Sequence, residues 1–225
     1  MKQINLCAVL LSCLALINNA DACTGITLKS KDNSVVVART MDWSGAENNN
    51  MYVIVPRGFS QRSMLPNGKS EGLEYSALYG YAGLAVEQPE FIIDGTNEAG
   101  LSAALFYFPN YGEYEPYNEA NKDISLADFQ VVSWILSRFA TIDQVKQAIN
   151  DVRIINIDPS ASTVHWRITD MTGRQVVLEI VNGVPNSGIP SVPVSFIICS
   201  LVTPSGSGDK NNPIVALSSN GTVLT

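Results

Sequence analysis

Asp21-Ala22-Cys23-Thr24-Gly25 is the stretch on which the reading of the chain turns, because a cleavage site and a candidate nucleophile meet on one bond. Upstream of it, Met1-Lys2-Gln3 gives a short positive start, Leu6 to Ile17 is an apolar run interrupted only by Ser12, and Ala20-Asp21-Ala22 has the A-x-A form. This pattern predicts a secretory signal peptide over residues 1–22, too short for a transmembrane span and with small residues at the cut. Cleavage after Ala22 leaves Cys23 as the first residue of an exported protein, periplasmic or extracellular. An α-amine and a thiol ordinarily titrate close together near neutral pH. The amine of Cys23 can then take the thiol proton, directly or through a water, and the residue activates itself as a nucleophile.

Two other readings of Cys23 stay open at this level. A bacterial lipoprotein also carries cysteine directly after its signal, although that signal usually has Leu where this chain has Ala20. A structural cysteine is the other, free or paired with Cys199, which remains once Cys7 and Cys13 leave with the signal. Export makes such a disulfide chemically permissible.

Removal of the signal leaves roughly 200 residues, enough for one domain with its own core. The composition, 46% apolar and 16% charged, is that of a folded protein. A net charge of −7 without a Lys/Arg cluster argues against a nucleic-acid partner. No apolar run near 18 residues follows the signal, so no membrane span is expected. The single histidine, His165, leaves no multi-histidine metal site, and CxxC, HExxH and GxGxxG are all missing.

Outward from Cys23, Thr24 to Leu28 is short and β-prone, and Lys31-Asp32-Asn33-Ser34 is a turn cluster. Val35-Val36-Val37-Ala38 then reads as a strand buried on both faces. A hairpin of this kind returns Arg39 and Asp42 to the neighbourhood of Cys23. A guanidinium beside a thiolate favours the ionised form, and a carboxylate can hold and orient the α-amine. The plainer alternative is a surface ion pair at a strand end.

At this point the residues carry a resemblance. Cys23-Thr24-Gly25, Ala38-Arg39-Thr40-Met41-Asp42-Trp43 and Pro56-Arg57-Gly58 resemble the start of the choloylglycine hydrolase family, which contains bile salt hydrolases and penicillin V acylases. Asp94-Gly95-Thr96-Asn97-Glu98-Ala99-Gly100-Leu101, Phe108-Pro109, Thr163-Val164-His165-Trp166 and Asp170-Met171-Thr172-Gly173-Arg174 continue it, so that it covers residues 23–183. The resemblance implies an α+β fold, the N-terminal nucleophile hydrolase αββα four-layer sandwich of two antiparallel sheets between helical layers. It also implies hydrolysis of linear, non-peptide C–N amide bonds in a small-molecule substrate, with bile salts first and penicillin V as the alternative. Cys23, Arg39 and Asp42 would be catalytic, with no metal or organic cofactor. Tyr107 stands where bile salt hydrolases place an Asn that helps bind the oxyanion, and where Gram-positive penicillin V acylases have Tyr. The segment from Gln61 to Leu73 would be a loop shaping the substrate pocket. A homo-oligomer is left open.

Local patterns complete the expectation. Ser125-Leu126-Ala127-Asp128 resembles a capping box opening a helix with Phe129, Val132, Leu136 and Phe139 on one side, and Thr141-Ile142-Asp143-Gln144 is a second box opening a helix to about Asn150. Val164 to Thr169 and Gln175 to Val181 read as a hairpin, with His165 a packed rather than a catalytic histidine. Asn97 reads as a structural turn residue. Past Gly183 the tail 184–225 is rich in Pro, Gly, Ser and Asn, and its only charges are Asp209 and Lys210. It lacks the Thr-Asn-Ser-Pro segment and the second Arg that the family supplies. The expectation is therefore a truncated or frame-shifted chain, with the sandwich incomplete; an inactive fragment or a lipid-anchored binding protein is the second alternative. An intact mass that begins at an unmodified Cys23 is the expected outcome for the exported protein, and added diacylglyceryl mass would identify the lipoprotein instead.

Overall fold

The computed structural model describes residues 23–41, 49–107, 112–158 and 163–180, together with the backbone of short strands at Val194–Ile197, Ala216–Leu217 and Val223–Leu224. The expected signal peptide, Asp42, Phe108-Pro109, Cys199 and most of the tail 184–225 lie outside the described residues.

The chain begins as the sequence suggests, with β1 (Gly25–Lys29) and β2 (Val35–Arg39) paired as an antiparallel hairpin in which Gly25 faces Arg39. Its turn closes on Asn33, whose φ of 67° is the left-handed conformation that Asn tolerates better than other side chains, while Asp32 accepts a hydrogen bond from Ser34 N at 3.0 Å. The expectation that Val35 to Ala38 is buried on both faces fails. β2 alternates half-buried and exposed, with Val36 55% exposed, because only one face of this hairpin lies on the rest of the protein.

Six further strands follow before the helices: β3 (Asn50–Val55), the short β4 (Ser60–Arg62) and β5 (Glu74–Ser76), β6 (Tyr81–Val86), β7 (Ile92–Asn97) and β8 (Ser102–Tyr107). A crossover segment contains β9 (Ser125–Ala127), α1 (Val131–Arg138), α2 (Ile142–Ala148) and β10 (Arg153–Ile155). The hairpin β11 (Val164–Thr169) and β12 (Gln175–Ile180) comes next, and β13 (Val194–Ile197) pairs with β12. The main sheet is antiparallel throughout, in the order β13-β12-β11-β8-β7-β6-β3. The tail thus contributes a strand to the sheet where none was expected from its sequence.

Period-two alternation gives this sheet two different faces. Trp166, Ile168, Val176, Leu178 and Ile180 point to one side and are packed with Val132, Ile135, Leu136 and Ile142 of the helices in one core. Each such side chain contributes about 1.5–3 kcal/mol of burial. Gly95 lets α1 sit close, since a Cβ there would be 2.8 Å from Leu136 Cδ1 and 2.7 Å from the Ala82 carbonyl. Asp94, Phe106, His165, Arg167 and Glu179 point to the opposite side, where the β1–β2 hairpin lies. Among the described residues the layers are therefore helices, seven-stranded sheet and hairpin.

The box at Thr141 forms as expected: Thr141 Oγ1 accepts from Gln144 N and the Gln144 side chain accepts from Thr141 N. The one at Ser125 does not. Ser125 is in β9, paired in parallel with β10, and its hydroxyl donates to the Asn121 carbonyl. Ala127 and Gln130 then bind residues of the 61–73 segment, so the helix starts only at Val131. That segment is itself tied down, with Met64 N donating to Gln130 Oε1 at 2.6 Å and Leu73 N to the Ser125 carbonyl at 2.9 Å.

Asn97 is structural, and all four of its hydrogen-bonding positions are used. Its Nδ2 donates to the Leu136 and Phe139 carbonyls, at 2.9 and 2.7 Å, closing the C-terminal end of α1. Its Oδ1 accepts from Ala99 N and Leu101 N, at 3.1 and 3.0 Å. Asn97→Ala should lower stability by about 2–4 kcal/mol, read as a lower urea midpoint at unchanged slope, because four buried or part-buried partners lose a hydrogen bond at once. Asp128 gives a pH signature. It is fully buried, and desolvation pushes its carboxyl up to about 7 against hydrogen bonds from the Phe129 and Ile157 backbone. A carboxyl raised in the folded state binds more protons folded than unfolded. Stability should therefore fall as pH rises from the ordinary carboxylate range through about 7, and Asp128→Asn should flatten that slope in melts taken from pH 4 to 8.

Candidate active site

The ladder of the first hairpin continues beyond β1. Thr40 N donates to the Thr24 carbonyl at 2.8 Å and Thr24 N to Thr40 Oγ1 at 3.1 Å, which places Cys23 opposite Met41. Alternation puts Cys23, Gly25 and Thr27 on the face toward the sheet and Ile26 and Leu28 away from it, at 50% and 41% exposure. Cys23 is half-buried with a free thiol.

Arg39 lies on the same inward face, and the sheet is built to receive it. The pairing of β7 with β8 runs through Asp94↔Ala104, Gly95↔Ala103 and Thr96↔Ser102 and goes no further. Next to its end, a register shift in the β6–β7 pairing sets Ile93 outside that ladder. Arg39 Nη1 donates to both carbonyls at this opening, Leu105 O at 2.6 Å and Ile93 O at 3.2 Å, while Nε donates to Thr40 O at 3.2 Å. Its guanidinium carbon is 4.5 Å from the centroid of the Phe106 ring. Charge-assisted bonds of this kind contribute about 1.5–3 kcal/mol each. Arg39 thus anchors the end of β2, and with it the paired residues at the start of β1.

Two groups that sequence reasoning passed over complete the surroundings. Asp94 projects from β7, and its carboxyl is pushed up by burial while the nearby positive charges of Arg39 and Arg167 oppose that rise. Arg167 projects from β11, 8% exposed, with its guanidinium carbon 5.3 Å from the Phe106 centroid and Nη2 donating to the Ala38 carbonyl at 3.3 Å. The available signal for Arg167 was its spacing two residues from His165 in an alternating strand, and for Asp94 its place before Gly95.

A cavity of about 620 Å³ adjoins Arg39 and Asp94, with Met41, Tyr52, Ile54, Leu84 and Ile93 on its apolar walls. None of residues 61–73 lines it. Tyr107, at the end of β8, is 45% exposed and is paired in register with Val164. His165 Nδ1 lies 3.0 Å from Glu179 Oε1 and its ring meets Phe106 edge-on at 6.0 Å, which makes it a half-buried packing group of the same face. Among the described residues no three His, Cys, Asp or Glu side chains come together as metal ligands. No helix among them is long and apolar enough to cross a membrane.

Comparison with known proteins matches this architecture. Residues 23–184 fit the model of the linear amide C–N hydrolases, choloylglycine hydrolase family. A bile salt hydrolase/transferase of Clostridium perfringens is 32% identical over 162 residues, which is 70% of this chain and 47% of that protein. That of Lactiplantibacillus plantarum is 29% identical over 167 residues, or 72% and 48%. The chain spans about half the length of the curated relatives it matches. Among solved structures, a mutant conjugated bile acid hydrolase from Clostridium perfringens superposes with a TM-score of 0.58 at 28% identity, covering 72% of this chain and 48% of the other. A penicillin V acylase from Agrobacterium tumefaciens shares the fold, with a TM-score of 0.59 at 22% identity over 71% and 47%. The fold is that of the N-terminal nucleophile hydrolases, and the chain belongs to the choloylglycine hydrolase family of linear amide C–N hydrolases.

Proposed function

We propose that this protein is exported, is cleaved after Ala22, and hydrolyses small-molecule amides with Cys23 as its N-terminal nucleophile, bile salts being the first candidates. The observation that carries the reading is the hairpin itself: the free thiol of Cys23, two residues before Gly25 and facing the sheet, on a strand held in register by Arg39. The names of the relatives supply the substrate class, since matched proteins are a bile salt hydrolase/transferase and a conjugated bile acid hydrolase.

In this mechanism the α-amine of Cys23 takes the thiol proton and the thiolate sulfur attacks the amide carbonyl. A C–S bond forms as the carbonyl π electrons move to oxygen. Collapse of the tetrahedral species breaks the C–N bond, and the amine leaves with the proton carried by the α-ammonium. Water, deprotonated by the same α-amine, then attacks the thioester carbonyl; collapse breaks the C–S bond, the carboxylic acid leaves, and the sulfur recovers its proton from the α-ammonium. The developing oxyanion needs donors, and backbone N–H groups where β8 ends at Tyr107 are the candidates, since the Tyr107 side chain alternates with Phe106 and leaves from the other face of the sheet. Asp42, next after Met41, would hold the α-amine. The apolar walls of the cavity beside Arg39 suit a hydrophobic acyl group.

Penicillin V is the second reading, favoured by a tyrosine at position 107 and by the shared fold with a penicillin V acylase. Purified protein assayed in parallel on taurocholate, glycocholate and penicillin V should release taurine or glycine faster than phenoxyacetate. The reverse order would assign the acylase activity. Cys23→Ser should reduce turnover by at least about a hundredfold, and a variant that still turns over would remove Cys23 from the chemistry.

A further inference from the structure

We infer that Arg167 is a positioning residue for Cys23, the arm by which the seven-stranded sheet holds the strand that begins with the nucleophile. The inference rests on the proposed role of Cys23 and adds a residue to it. Its basis is the contact between β11 and the hairpin. Arg167 Nη2 donates to the Ala38 carbonyl on β2 at 3.3 Å. On the paired strand, a Cβ at Gly25 would fall on top of Arg167 Nη1 and 2.8 Å from both Arg167 Cζ and Phe106 Cζ. The backbone of β1 therefore lies close against the guanidinium, an approach that only glycine permits. Cys23 is two residues away on the same face, about 7 Å along the strand.

Arg39 and Arg167 make reciprocal connections across one ring. Arg39 reaches from the hairpin into the sheet, where it binds the Ile93 and Leu105 carbonyls, and Arg167 reaches from the sheet to the hairpin. Phe106 is the common surface, 4.5 Å from one guanidinium carbon and 5.3 Å from the other. Two cations on one buried ring repel unless a counter-charge is near. Asp94 supplies it: Asp94, Ala104 and Arg167 stand in one cross-strand row, and the small Ala104 side chain leaves room between the two charged groups. Both guanidiniums act on the Asp94 carboxyl in the direction expected of such neighbours. A residue that merely filled space at 167 would need neither the donor to Ala38 nor the carboxylate.

The test uses the full chain as isolated, with its N-terminus read by intact mass, and compares the wild type with Arg167→Met, Arg167→Lys and Gly25→Ala. The first readout is the rate of iodoacetamide alkylation at Cys23, resolved by peptide mapping with Cys199 as internal reference, which requires no substrate. The second is kcat and KM on glycocholate, with circular dichroism as the control for folding. R167M should slow alkylation of Cys23 relative to Cys199 by about fivefold and lower kcat by about tenfold or more, with KM within about twofold and partial recovery in R167K. Should R167M fail to fold, G25A carries the same test, since its methyl group pushes guanidinium and strand apart while keeping the charge. Folded R167M or G25A with wild-type alkylation and wild-type kcat would overturn the inference. Slower Cys23 alkylation in the variants, from a wild type that turns over no amide, would instead reject the proposed function and leave the positioning role standing.

Discussion

The arrangement depends on a guanidinium entering the end of a β-ladder. Where the pairing between β7 and β8 stops, the carbonyls of Ile93 and Leu105 lie side by side, and a donor shared between them fixes the end of the ladder. Arg39 Nη1 donates to both. The consequence is that the first hairpin cannot slide along the sheet: a one-residue slip would turn Arg39 outward and break both bonds. An apolar contact would have tolerated small translations. A charged donor between two fixed acceptors does not, and that is the kind of constraint a terminal residue needs if it is to be held in one place.

Much of this was legible in the residues, and the failures have physical causes. The β1–β2 hairpin was readable because its turn cluster and β-prone flanks agree with each other, and the Thr141 box because its reciprocal bonds are local. Asn97 was readable as a turn residue, though not as the closure of a helix about forty positions later in sequence. The misreading at Ser125 came from the same rule that succeeded at Thr141. Ser125 has the right spacing, but β10 offers its backbone a parallel ladder and Ser63 offers Ala127 an acceptor, and these non-local partners win. Val36 was misjudged because an apolar run says that burial is preferred, not which faces have something to lie against. Arg167 escaped notice because its significance comes from Ala38 and Gly25, more than a hundred residues away in sequence.

The two faces of the main sheet divide stability from chemistry. The helix face is filled by Trp166, Ile168, Leu178 and the side chains of α1 and α2, with Asn97 bonded at all four of its hydrogen-bonding positions. The hairpin face carries Asp94, His165, Arg167 and Glu179 in the middle strands of the same sheet. Ionisable groups on a half-buried β-surface oppose folding unless opposite charge is near, and here it is: His165 lies beside Glu179, and Asp94 feels the positive charges of Arg39 and Arg167. Polar residues placed there at a cost in burial make sense if their directionality is needed, because hydrogen bonds and planar cations fix orientation where aliphatic side chains do not.

In the proposed function, that directionality bears on how Cys23, as the first residue of the cleaved chain, would act with precision. An N-terminal residue has a neighbour on one side only, so its position is set by the residues that follow and by what its strand lies on. In this protein Thr24 is held by Thr40 through two hydrogen bonds, Gly25 lies close against the Arg167 guanidinium, and the facing residue Arg39 is locked into the ladder opening. Each constraint acts on a different side of the strand: one in the plane of the hairpin, one beneath it, one at its far edge. Together they leave the first residue rotation about its own bonds and little translation. A nucleophile that also serves as its own base needs that combination, since its sulfur must approach the carbonyl while its amine stays within reach of the proton.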